Sequence, residues 1–285
     1  MECVTSKPLT SWFDFEDELR KLNARLHEDR KAQDKPEPDD PIFRGVGNSE
    51  WKLETTLERS YPLECCDKTP SLRRYYRMIE ASKPAVETLT KRSWDQVPDY
   101  PEFARELEEH HGYWLDTFLW QHPGIYEYLI YLRHHGFPSP LLDWTASSYV
   151  AAFFAFDTMD KNATHVSVYA LLRGPTVGSG SAHLFIVGPY VKSDPRHYAQ
   201  QSRYSMCVRL GEDDYHFKPH EECRPEEICG LGGELLKFDI PASERVPALK
   251  HLDLMNINLF SLYGTEDSLV RTVARRECLF KSWNL

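Results

Sequence analysis

The chain has 285 residues, of which 41% are hydrophobic and 13% aromatic, so one large or two small ordered domains fit and intrinsic disorder is excluded. Lys and Arg number 34 against 44 Asp and Glu, a net charge of -10 that argues against broad non-specific nucleic-acid or membrane binding while leaving room for a local basic patch. No apolar run approaches the ~20 residues of a membrane span, and the N-terminal stretch lacks the basic-then-apolar order of a signal peptide. The expectation is a cytoplasmic protein. Seven scattered cysteines without Cys-x-x-Cys spacing then read as reduced thiols. The group Cys207, His216, His220, Cys223 and Cys229 matches no standard zinc spacing.

Taken along the chain, Ser11 to Lys31 predicts an amphipathic helix, with Trp12, Phe15, Leu19, Leu22 and Leu26 at three- and four-residue steps. A polar linker, Ala32 to Pro41, follows. Residues 1–40 therefore form an N-terminal helix and linker, and 41–285 the main domain. Ile42 to Gly47 predicts a strand ending in a tight turn. Ser71 to Thr90, Pro101 to Trp120 and Ile125 to Arg133 predict three helices, with Pro101 suited to a first helical turn.

The segment His134 to Phe156, HHGFPSPLLDWTASSYVAAFFAF, splits into a polar half punctuated by Pro138 and Pro140 and an almost purely apolar half. The prolines bar a helix from the first half. Thr145 or Ser147 then caps the helix implied by the Ala/Phe run. Polar groups at the N-terminus of a buried helix each need a partner, and that terminus suits an anionic ligand. Downstream, His165 to Leu172, Ala182 to Val187, Tyr204 to Leu210 and Glu234 to Ile240 predict strands, and Ala242 to Ala274 returns to helical spacing. Helices mostly first and strands clustered later predict a single α+β domain.

Phe43–Arg44–Gly45, followed by Trp51, Leu53 and Arg59, the His134–Phe156 segment and the Arg196–Ser205 stretch, RHYAQQSRYS, together resemble the FRG domain family. The resemblance spans roughly Pro41 to Leu262. Ser139–Pro140 stands where that family usually has Thr-Arg, and Ser202 where a Gly is common. The FRG pattern is similar in turn to the ADP-ribosyltransferase fold, which implies an ADP-ribosyltransferase-like core with NAD as substrate. There, Arg44 contacts the NAD phosphates, Thr145 and Ser147 lie on a strand leading into a helix, and Gln200 or Gln201 acts on the ribose. The resemblance further implies a toxin or anti-phage effector role.

Such chemistry must fix a diphosphate, hold a ribose and steady an oxocarbenium-like cation as nicotinamide leaves. Arg44 suits the diphosphate, and Phe43 and Gly45 flank it; Gly45 and Gly47 would let the backbone approach the ligand. His135 is a candidate ribose ligand, Trp144 or Tyr149 could stack on nicotinamide, and Trp51 is a candidate NAD-binding residue. A Gln amide carries no charge, so Asp143 or Glu234 is a candidate anion. Asp143 also reads as a cap or as the partner of an Arg. Three functions stay open: an ADP-ribosyltransferase or NAD glycohydrolase, with a protein acceptor favoured over long nucleic acid; a non-catalytic NAD-sensing module; and a metal-dependent hydrolase or nuclease using His110, His111, His134 and His135.

Overall fold

A computed structural model of the chain describes residues 4–33, 40–60, 70–109, 122–172, 182–187, 195–211, 214–220 and 234–281. In chain order the elements are β1 (Val4–Pro8), α1 (Trp12–Gln33), β2 (Ile42–Val46), α2 (Thr56–Ser60), α3 (Leu72–Thr90), α4 (Tyr100–Glu109), α5 (Pro123–His134), β3 (Leu142–Thr145) and α6 (Ser148–Asp157). They continue with β4 (His165–Leu172), β5 (Ala182–Val187), α7 (Pro195–Ala199), β6 (Ser202–Leu210), β7 (Tyr215–Phe217) and β8 (Glu234–Pro241). Three α-helices follow, α8 (Arg245–Leu254), α9 (Leu259–Tyr263) and α10 (Glu266–Arg275), and a π-helical segment, Arg276–Phe280, closes the order.

The strands form one mixed sheet in the order β1-β8-β4-β2-β3-β6-β5, with β7 paired to β6. Only β1 and β8 pair in parallel; the other described pairs are antiparallel. The fold is therefore mixed α/β, and its strands are not confined to the C-terminal half. β1, β2 and β3 all come from the first 145 residues, and β2 sits at the centre of the sheet. β3 escapes a pattern-based reading because four residues between Pro140 and the α6 cap are too few to display alternation. The helical stretch after Ala242 divides into a short 3-10 turn and three helices, because Asn258 and Thr265 each form a capping box that starts a new helix.

Strand periodicity separates the core into layers. On β4, Val166, Val168, Ala170 and Leu172 face one side, and Tyr169 and Leu171 the other. The first side carries two helical packs. One joins Trp12, Phe15, Leu19 and Leu22 of α1 to Phe153 and Phe156 of α6 and to Leu249 of α8. The other joins Tyr75, Phe103 and Tyr128, of α3, α4 and α5, to Tyr204 and Met206 of β6. Each buried large side chain contributes roughly 1.5–3 kcal/mol. Among the described residues no helix is long and apolar enough to cross a membrane. Cys207, buried on the far side of the sheet, is disulfide-bonded, which corrects the reduced-thiol expectation at that position.

α6 lies directly on β2. A Cβ built on Gly45 would sit 1.9 Å from the Ala151 carbonyl oxygen, and one on Gly47 would sit 2.2 Å from that of Thr158. These glycines serve the close approach of a helix, and a ligand need not be invoked for them.

Candidate functional site

β2 and β3 pair at a single position, Phe43 with Thr145. Beyond it β2 continues against β4, while β3 pairs with β6. The sheet opens there, on the side where the two helical packs part. A cavity of about 330 Å³ occupies the opening, with Phe43, Asp143, Thr145, Gln200 and Tyr204 among its walls.

Arg44 alternates with Phe43 and so starts from the opposite face of β2. Its guanidinium crosses to β3, where Nη1 donates to the Asp143 carbonyl oxygen at 2.7 Å. A side chain thus bonds a backbone acceptor across the place where the two strands part. Nε of Arg44 is buried and has no hydrogen-bond partner among the described residues. Nε belongs to the edge through which a guanidinium grips a phosphate or carboxylate, and it is unspent here. Burial pulls the Arg44 pKa down to about 10, against the stabilising charge of Asp143, so the group stays cationic at neutral pH.

The Asp143 carboxylate is gripped through both oxygens by Nε and Nη2 of Arg133. Arg133 Nη1 also donates to Thr56 Oγ1 at 3.3 Å, and the Ser139 N–H donates to the same hydroxyl at 2.9 Å. The ion pair is therefore tied to the proline-punctuated loop. The Arg133 side chain is 10% exposed, whereas that of Asp143 remains 46% exposed on the cavity side. Burial works to raise the Asp143 pKa, but the Arg133 charge and hydrogen bonds outweigh it and hold the carboxyl below its ordinary value.

Two residues that sequence reasoning did not assign to an NAD site join this wall. His134 lines the cavity, its Nε2 lying 3.3 Å from the Tyr204 hydroxyl, and Arg196 of α7 lines it as well. His135 lies outside: it caps α5, is exposed, and rests its ring 4.3 Å from that of Tyr131. Adjacent helical residues point about 100° apart, so only one of the two histidines can face inward. The signal was present in the buried Ile130, four residues before His134 on the same helical face. Arg196 belongs to the quoted RHYAQQSRYS stretch, but nothing in its spacing marks it.

Gln200 borders the cavity and spends its amide N–H on the Leu262 carbonyl at 3.1 Å. Gln201 is exposed with φ 48, its backbone carbonyl accepting from Ala146 N–H. Trp144 touches the cavity, yet its indole is core and donates to Ser205 Oγ at 2.6 Å. Tyr149 turns to α1, its hydroxyl 3.4 Å from Glu16. Glu234 of β8, two strands from β2 along the sheet, pairs with Arg25 of α1 and stays away from the cleft.

Thr145 and Ser147 act as caps. Thr145 Oγ1 accepts from Ser147 N–H at 3.0 Å, and Ser147 Oγ accepts from Val150 N–H at 3.3 Å. The α6 N-terminus is thereby partly satisfied by the protein itself, and the cavity borders the flank of α6 at Ala151, Phe154 and Thr158 instead. Ser147→Ala is expected to cost about 1 kcal/mol, read from the midpoint of urea unfolding, with ligand affinity unchanged.

A second, larger cavity of about 690 Å³ adjoins the first and shares Arg44, Gly45 and Thr158 with it. Trp51, Lys52 and Arg59 also line it. Among the described residues no group of three or more His, Cys, Asp or Glu side chains is placed to hold a metal ion. His110, His111, Cys223 and Cys229 lie outside the described residues.

The molecule is thus a mixed α/β protein with a cleft at the opening of its sheet, walled by a buried arginine and an ion-paired carboxylate. Residues 39–164 match the FRG domain family, which supports the resemblance carried by Phe43–Arg44–Gly45 and His134–Phe156. The match ends before the Arg196–Ser205 stretch. No curated protein and no solved structure matches the chain.

Proposed function

We propose that the chain is an NAD-dependent, ADP-ribosyltransferase-like enzyme that cleaves the nicotinamide–ribose bond and transfers ADP-ribose to a macromolecular acceptor. The observation that carries this reading is the unpartnered, buried Nε of Arg44 at a cavity that also presents an ionised Asp143. A diphosphate engages the guanidinium through the edge that carries Nε. The C–N glycosidic bond breaks, nicotinamide leaves with the electron pair as a neutral base, and positive charge develops on the ribose. Asp143 is the one carboxylate among the described residues lining the smaller cavity, so it steadies that cation and receives the proton of the attacking nucleophile. His134 and Gln200 supply hydrogen-bonding groups for the ribose hydroxyls. The acidic net charge favours a protein acceptor over long nucleic acid. Modification of a target by a toxin or an anti-phage effector is the setting this chemistry fits.

The test is nicotinamide release from NAD by the wild type, Arg44→Ala and Arg44→Lys, with NAD-induced thermal shift in parallel. Release is expected to fall by about a hundredfold or more in Arg44→Ala. Arg44→Lys keeps the charge without the fork and is expected to recover little. Full NAD affinity in Arg44→Ala would defeat the proposal. A second reading, a non-catalytic NAD sensor, is favoured by one observation: the Gln200–Gln201 turn brings no carboxylate, and its Gln200 amide is already committed to Leu262. A thermal shift with no release, in the presence of acceptor extract, selects the sensor.

A further inference from the structure

We infer that the outer face of α10 is a docking surface for a second copy of this chain, the two helices lying antiparallel across a twofold axis. The inference stands apart from the chemistry assigned to the cleft.

An amphipathic helix normally turns its apolar stripe to the core and its polar residues to water. α10 does the reverse. Its buried residues are Ser268 and Thr272, and both hydroxyls are satisfied locally. Ser268 Oγ donates to the Thr265 carbonyl at 2.7 Å, and Thr272 Oγ1 donates to the Ser268 carbonyl at 2.8 Å while accepting from the Phe260 N–H at 3.0 Å. The branched apolar residues face outward: Leu269, Val270 and Val273 are 43%, 66% and 47% exposed. Spacings of three and four residues put them on one face, which the exposed Ala274 extends. Phe260, itself 44% exposed, is tied to the helix by its bond to Thr272. Single exposed apolar side chains are ordinary on a monomer, whereas a stripe of them marks an interaction surface.

The charges around the stripe select the occupant. Glu266 and Asp267 fill the first turn of α10; Arg275 and Arg276 stand at its other end. Arg276 bonds Asp253 and still keeps its side chain 46% exposed. Asp267 and Arg271 pair only loosely, at 3.8 Å, with side chains 81% and 58% exposed, so both remain available to a partner. Glu277 and Lys281 pair with each other. Both signs therefore border one apolar face, which suits neither an anionic membrane nor a nucleic-acid backbone. An antiparallel second copy meets this pattern twice over: each acidic first turn lies against the other helix's basic end, and the two helix dipoles oppose. The net charge of -10 repels two copies at long range, so the local match sets the register.

The experiment is sedimentation equilibrium of the full chain, from about 1 to 200 µM at low and high salt, for the wild type, Val270→Glu, Val273→Glu and Leu89→Glu. Leu89, 84% exposed on α3, is the control for a lost surface apolar group elsewhere. The wild type is expected to form a reversible dimer with a micromolar dissociation constant that rises with salt. Val270→Glu and Val273→Glu are each expected to raise that constant about tenfold or more, because pairing would bury an uncompensated charge. Both positions are exposed in the single chain, so the variants are expected to fold, with far-ultraviolet circular dichroism as the check. Leu89→Glu is expected to leave the constant unchanged. A wild type that stays monomeric throughout, growth beyond a dimer, equal weakening by Leu89→Glu, or association that strengthens with salt would each overturn the assignment. A monomeric chain whose binding to phosphatidylserine vesicles is lost in Val270→Glu would give the face to a lipid surface instead.

Discussion

Gly45→Ala is expected to destabilise the protein by more than about 3 kcal/mol, a large part of the ~5–15 kcal/mol that holds a typical domain together. The added Cβ would lie 1.9 Å from the Ala151 carbonyl oxygen and 2.6 Å from the Ala155 nitrogen. Both are backbone atoms of α6, so no side chain can rotate away. Relief requires α6 to lift off β2, which opens the packing of Phe43 and Ala151 and disturbs the walls of the cleft. Urea unfolding of Gly45→Ala, with Gly47→Ala and Gly136→Ala beside it, checks this. Gly47→Ala is expected to behave similarly, because its Cβ meets Thr158 at 2.2 Å. Gly136 has φ 86 and nothing within 4 Å of an added Cβ, so Gly136→Ala is expected to cost only about 1–2 kcal/mol of backbone strain. Near-native stability of Gly45→Ala would return this glycine to the role of admitting a ligand.

Asp143→Asn is expected to lower kcat for nicotinamide release by about 10²–10³-fold with little change in KM, because the charge it removes matters chiefly once the ribose becomes cationic. The variant also leaves Arg133, 10% exposed, without its counter-ion, so its folding is followed in parallel. Arg133→Met separates the two effects through pH. In the wild type the Asp143 carboxyl lies below its ordinary 3.8, so the group stays ionised and gives no acidic limb above about pH 4. The stability it contributes is fully present above that ordinary value and is lost as pH falls through the lower folded-state value. With Arg133 gone, the largest opposition to burial is lost and only the Arg44 and His134 charges still favour the carboxylate, so the Asp143 pKa rises. An acidic limb in the release profile is then expected to move upward in pH, and the pair's stabilisation disappears. A profile identical to wild type would mean that Asp143 takes no part in the reaction.

The opening between β2 and β3 is the feature on which both predictions turn, and it depends on how the chain is spent locally. β2 gives Phe43 and Gly45 to the α6 side and Arg44 to the other. β3 gives Asp143 and Thr145 to the cleft while Leu142 and Trp144 enter the far core. One strand thus builds two layers. The cleft's polar groups are inexpensive to keep there because Arg133, Thr56 and Ser139 already bond them into the loop.

The sequence by itself determined the local elements with strong periodicity. α1, α3, α5, β2, β4, β5 and the Ser147-capped α6 follow from apolar spacing, proline punctuation and capping chemistry, all of which act over a few residues. It also marked Arg44, through an ordered set of motifs, and offered pairing with an arginine as one of the two structural roles of Asp143, the one the Arg133 contacts select. Only the tertiary structure decided the rest. Which of His134 and His135 faces inward depends on how α5 rotates against the sheet, and Arg196 reaches the cleft only because α7 folds back beside it. Gly45 resembles a ligand contact until α6 is seen to occupy the space above it. The strand order, and with it the opening that makes the site, is a matter of non-local pairing. β3 carries too few residues to announce itself, and its position is fixed by partners on β2 and β6 that lie far from it along the chain.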